Sequence, residues 1–150
     1  IASWKNTTGP ITALAMSQDD KTLVAGTSTG KWQTWSFPEG AEKQQQPAGH
    51  SGAVHAVAIH PQTGEIATAG ADGLVKLWKG DEMPRVLTGH SGPVLAVAFT
   101  PDGASVFSGG ADASVRRWNV ADGVQAQVYS GHQGQVTGVT VSADSTTIVT

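Results

Sequence analysis

What most restricts the fold of this chain is that it repeats itself. From Gly49 it runs Gly49-His50-Ser51-Gly52, an apolar stretch Val54 to Ile59, His60-Pro61-Gln62-Thr63-Gly64, and a second apolar run Ile66 to Ala69. The turn Gly70-Ala71-Asp72-Gly73 follows, then Leu74 to Leu77 and Trp78. The next unit keeps this order without a gap. His90 lies forty residues after His50, Asp112 forty after Asp72, and Trp118 forty after Trp78. A unit built only of short strands and turns must stack on its neighbours to bury its apolar faces, and a period near forty residues predicts β-propeller blades.

Partial units frame these two. Residues 6–48 form a degenerate unit whose apolar skeleton is intact: Ile11, Leu14, Met16, Leu23 and Trp35 fall on Val54, Val57, Ile59, Ile66 and Trp78. Thr7 stands in place of His50, and Thr29 in place of Asp72. The expected blades are therefore 6–48, 49–88 and 89–130, with 131–150 as the first half of a fourth and 1–5 as the last strand of a preceding one. Outer strands are expected near Lys43 to Gln46, Arg85 to Leu87 and Val124 to Tyr129. A ring closes with about four to eight blades. The fold class is thus all-β, an incomplete propeller of four-stranded antiparallel blades, with the other blades expected from a longer chain or from another copy.

The first strand of each unit splits into a small column (Ala13 and Ala15, Ala56 and Ala58, Ala96 and Ala98) and a large one (Leu14 and Met16, Val57 and Ile59, Val97 and Phe99). Both columns are apolar, which predicts strands buried on two faces. Composition narrows the function classes. A net charge of −3 with nine Lys and Arg and no basic run argues against nucleic-acid or anionic-membrane partners. Without cysteine there is no disulfide framework or thiol nucleophile. No signal pattern or membrane-length apolar run is present. The compartment stays open, with the cytoplasm as the default expectation.

At unit three the pattern Gly89-His90, an alternating strand, Pro101-Asp102-Gly103, Ser108-Gly109-Gly110-Ala111-Asp112 and Trp118 resembles the WD40 repeat. The aspartate that closes the family's motif is replaced by Ser36, Lys79 and Asn119. The resemblance implies a buried network in the two full units. His50 would bond Asp72 and Thr68, with Trp78 completing the set, and His90 would do the same with Asp112, Ser108 and Trp118. In unit four only His132 and Thr150 of the set are present, and unit one keeps only Trp35.

The same residues admit other chemistry. A histidine, an acid and a hydroxyl also suggest a hydrolase triad, but a catalytic set normally occurs once, and this one recurs. His50, His55 and His60 could be arranged as a zinc set; His50 belongs to the network, and His60 sits at the far end of its strand. Gly26, Gly30, Gly70 and Gly73 are spaced as turns and lack the helix of a phosphate loop. No catalytic residue, metal or cofactor is therefore expected. Arg117 takes the place of Leu77, and its side chain is expected to reach out of the blade.

The resemblance also implies a binding rim on the narrower face of the propeller. Its positions are Pro10, Thr12 and Ser28, then Ala53, His55 and Ala71, then Pro93, Leu95 and Ala111, then Gln135 and Thr137. The set is small, neutral and partly apolar, so a neutral peptide or protein surface fits it better than an acidic ligand, which would call for arginines. The expected function is a non-catalytic protein interaction scaffold. Two alternatives remain: the propeller part of a larger enzyme or redox protein, and one arc of a multi-chain ring.

Overall fold

The computed structural model describes residues 9–46 and 49–150, so the strand expected at 1–5 lies outside the described residues, as does Thr7. Blade one comprises β1 (Ile11–Met16), β2 (Thr22–Thr27), β3 (Trp32–Ser36) and β4 (Glu42–Gln46). Blade two comprises β5 (Val54–Ile59), β6 (Ile66–Gly70), β7 (Val75–Trp78) and β8 (Arg85–Leu87). Blade three comprises β9 (Val94–Phe99), β10 (Ser105–Gly110), β11 (Ser114–Asn119) and β12 (Gln125–Ser130). Each is an antiparallel meander in chain order, and a short pair, β13 (Thr140–Val141) with β14 (Ile148–Val149), begins a fourth sheet. The described residues form an unclosed arc. In unit four, expected as the first half of a blade, the ladder pairs Thr140 with Val149 and Val141 with Ile148.

The core lies in the seams between blades and not inside any one sheet. In the first seam, Val24 and Trp32 meet Val54, Val57, Ile66 and Trp78, and the two indoles stack edge to face at 5.4 Å. In the second, Ala67, Ala69, Val75, Leu77 and Leu87 meet Val94, Val97, Val106 and Trp118. The columns read from sequence explain how the first strands nest. Val57 and Ile59 pack with Ala13 and Ala15, and Val97 and Phe99 with Ala56 and Ala58. Each large column therefore lies in the same seam as the small column of the blade before it. Every such side chain withdrawn from water contributes about 1.5–3 kcal/mol. Gly26 and Gly109 extend the small column onto the second strand, where a Cβ would stand 2.5 Å from Val54 and Val136 respectively.

Unit one departs from the expectation of two buried faces. Leu14 is 60% and Met16 40% exposed, because no sheet among the described residues lies against their side of β1. Arg117 also departs from expectation. Its Nε donates to Ser105 Oγ at 3.0 Å and its guanidinium lies 6.0 Å from the Phe107 ring centroid, so it packs along its own blade.

Candidate functional site

The fold places the network residues and the rim residues differently. In blade two the loop before β5 brings His50 against the β6–β7 turn. Nδ1 of His50 lies 2.8 Å from Asp72 Oδ1, and Nε2 lies 2.8 Å from Thr68 Oγ1. Since an ionised carboxylate only accepts, Nδ1 carries the proton and donates to Asp72. Nε2 then accepts from the Thr68 hydroxyl, whose oxygen accepts the Trp78 indole N–H at 2.9 Å. Backbone N–H groups of Ser51 and Leu74 donate to Asp72 at 3.1 and 3.2 Å.

Blade three repeats the set with serine for threonine. His90 Nδ1 lies 3.0 Å from both oxygens of Asp112, Nε2 lies 2.8 Å from Ser108 Oγ, and Trp118 Nε1 donates to Ser108 Oγ at 2.8 Å. Ser114 adds a hydroxyl to Asp112 at 2.8 Å. In unit four His132 Nε2 lies 2.7 Å from Thr150 Oγ1 in an exposed setting.

Burial pushes both imidazoles below the ordinary histidine range and outweighs the opposing pull of the carboxylates. For Asp72 and Asp112 burial works toward protonation. It is outweighed by the hydrogen bonds from His50 and its loop in one case and from Ser114, Ser91 and His90 in the other, so both acids stay below the usual carboxylate range. The pairs are thus neutral imidazole on carboxylate. Thr68 and Ser108 are both 0% exposed, so the hydroxyl that would act as a nucleophile cannot meet a substrate. The arrangement joins a loop to its blade and leaves no group free to react.

The proposed rim residues gather at the end of each blade opposite the turn between its first two strands. Ser28 N donates to Pro10 O, Ala71 N to Ala53 O and Ala111 N to Pro93 O, each at 2.9 Å. Gln135 and Thr137 are exposed on either side of buried Val136. A feature that sequence reasoning missed sets three of these positions apart. The ladder between first and second strands skips one residue in every blade, between Ile11 and Ala13, between Val54 and Ala56, and opposite Gly109 and Gly110. The skipped residues are Thr12, His55 and Leu95. Such a β-bulge frees one side chain from the alternation of the strand and re-aims it. Thr12 does not serve the rim as the others do, because its hydroxyl donates across the seam to Val54 O at 2.5 Å and lies 3.2 Å from Gly26 O of its own blade. His55 and Leu95 are partly buried, with part of each side chain left at the surface.

Residues at the other end of the blades were also missed. His60 Nε2 donates to Gly103 O at 3.1 Å, while its Nδ1 accepts from the backbone of Gln62 and Thr63. Gln62 donates to Pro101 O at 2.7 Å, and Arg85 donates to Val120 O. These bonds tie blade two to blade three. The matching turns of the other units use a hydroxyl and an acid two residues on: Ser17 with Asp19, Thr100 with Asp102, Ser142 with Asp144. That spacing is visible in the sequence.

The WD domain, G-beta repeat model matches residues 42–79, 82–119 and 123–150. Each match starts at, or in the turn just before, the outer strand of one blade and runs into the next, so family repeat and blade are offset by one strand. The chain is 35% identical over 68 residues to bovine transducin beta-like protein 3, covering 45% of this chain and 8% of that protein. It is 38% identical over 69 residues to the ribosome biogenesis protein YTM1 of Candida glabrata, covering 46% of this chain and 14% of that one. Among solved structures it superposes on U3-55K with a TM-score of 0.82 at 25% identity, and on the RRP9 WD40 repeats with 0.83 at 26%. Both superpositions cover 90% of this chain and 43% of the other, so the chain spans less than half the length of those structures. Since the matched residues make up more than two thirds of its length, the chain belongs to the WD40 repeat family.

Proposed function

We propose that this protein is a non-catalytic interaction scaffold whose neutral rim holds a peptide or another protein through His55 and Leu95. One observation carries the reading: both residues are the extra residue of a β-bulge, directly after a valine that is fully buried. The valine fixes the strand while the bulge turns the next side chain out of the ladder. Ala53, Ala71, Pro93 and Ala111 flank them with small, uncharged surface. A partner side chain covering such a spot gains about 1.5–3 kcal/mol. Protein interaction also suits the relatives, one of which is a ribosome biogenesis protein.

The test is the double change His55→Asp with Leu95→Asp in the intact protein. A partner captured by the wild type from its native extract should bind the variant at least tenfold more weakly, which is about 1.4 kcal/mol. The melting temperature should move little, since neither side chain belongs to a core seam. Equal affinity would place the binding surface elsewhere.

A further inference from the structure

The opposite end of the blades has a different chemistry. The seven turns at 17–21, 36–41, 60–65, 79–84, 100–104, 119–124 and 142–147 join first to second and third to fourth strands, and so lie at one end of the arc. They hold nine of the chain's 12 acidic residues and only two of its nine lysines and arginines. Two of the three remaining acids, Asp72 and Asp112, are taken by the histidine network. Lys43, Arg85 and Arg117 also reach this end, bonding Thr22, Val120 O and Ser105, so nine acids face five cations and the excess of carboxylate is four charges. The turns of neighbouring blades are in direct hydrogen-bonded contact, His60 to Gly103 and Gln62 to Pro101. Their fields add within the Debye length of about 8 Å at physiological salt. Hydroxyl bonds from Ser17, Thr100 and Ser142 hold Asp19, Asp102 and Asp144 below the usual carboxylate range, so the charge persists well into acid.

The same face has a concave feature. A cleft of about 450 Å³ opens between blades two and three, with Leu77, Met83 and Val120 among its walls and Glu65 and Glu82 beside them. Met83 is 92% exposed, an apolar side chain standing in water at the mouth of the cleft. The two cations in the lining are engaged within the protein: Arg85 donates to Val120 O, and Lys79 Nζ lies 3.8 Å from Glu65. Asp81, Asp102 and Asp122 sit in the turns around it.

We infer that this face docks a basic segment of another protein, rich in lysine or arginine, with one apolar side chain seated in the cleft between blades two and three. Charge complementarity selects the occupant, because carboxylates in such excess repel acidic chains and nucleic acid and raise the local concentration of cations. The cleft supplies position, since Met83 and Leu77 give an apolar side chain a place to leave water. This surface lies at the opposite end of the blades from the rim and does not depend on it.

The test uses a labelled lysine-rich peptide with a central leucine, followed by fluorescence anisotropy on the intact protein. It should bind at low salt and weaken at least tenfold at high salt, and a glutamate-rich counterpart should not bind. Glu65→Gln with Glu82→Gln should weaken binding at least tenfold, as should serine for the central leucine. Glu82→Lys, a change at a fully exposed turn, gives the same readout should the double variant lose stability. The His55→Asp, Leu95→Asp protein should bind the peptide as the wild type does. Full affinity in the glutamate variants, or binding indifferent to the central leucine, overturns the inference.

Discussion

A Cβ placed on Gly70 would stand 2.2 Å from Nδ1 of His50, and one on Gly110 would stand 2.5 Å from Nδ1 of His90. The glycine and the histidine are therefore one feature: the imidazole reaches its aspartate only across a bare Cα. Blade one shows the converse. Thr27 occupies the position of Gly70, with Thr29 in the place of the aspartate and Ala25 in that of Thr68, and the two threonine hydroxyls lie 2.9 Å apart. Loss of the histidine pair and gain of a side chain go together.

It follows that Gly70→Ala should destabilise by about 1–3 kcal/mol through overpacking against the ring. His50→Ala should cost about 2–4 kcal/mol, because Asp72 loses its ring donor and the buried Thr68 hydroxyl loses its acceptor, while the bonds from Ser51, Leu74 and Trp78 remain. The double variant should be more stable than the sum of the two, because the new methyl then enters vacated space. Urea unfolding of the four proteins measures the coupling, and strict additivity would mean that the glycine is there for another reason.

The networks also make the fold acid-sensitive, with a sign fixed by the direction of the shifts. The folded state keeps His50 and His90 neutral at pH values where the unfolded chain, whose histidines titrate near the ordinary value of 6.5, takes up protons. Stability is thus fully present above about pH 6.5 and falls as the pH drops below it. Asp72 and Asp112, depressed below 3.8, act in the same direction at lower pH. Thermal melts between neutral pH and pH 5 should show a clear decline. The decline should be shallower in His90→Gln, which removes one titrating ring, and an unchanged slope would show that the buried ring does not set it.

Much of this was legible in the sequence because it repeats: residues such as His50, Asp72 and Trp78 recur at forty, and a network leaves the same spacing in every copy. The columns of the first strands were legible for the same reason. Register was not. The bulge at Thr12, His55 and Leu95 arises from how two strands pair, and side-chain alternation in one strand does not reveal it. Nor did residue type alone show that Thr12 bonds across the seam or that Arg117 lies along Phe107, since each depends on a neighbour distant in sequence. The exposure of Leu14 reflects what packs on the blade, which the blade's own pattern does not contain.

The turn into the third strand supplies a last prediction. It needs a left-handed residue, and blades one and two place Gly30 and Gly73 there with φ of 81° and 79°. Blade three has Ala113 with φ of 61°. A Cβ in this region costs about 1–2 kcal/mol, while glycine concedes about 0.4–1 kcal/mol to the unfolded chain. Ala113→Gly should therefore stabilise by roughly 0.5 kcal/mol, a rare case of a glycine that strengthens a fold. The reverse change has a graded cost. At Gly73 an added Cβ meets Gly92 O at 3.2 Å, but at Gly30 it meets His50 O at 2.1 Å, where only backbone movement relieves the contact. Gly30→Ala should be the more damaging of the two, by more than the strain in φ alone. Chemical unfolding of the three variants gives the order directly; a loss of stability in Ala113→Gly would show that the left-handed turn in blade three is unstrained.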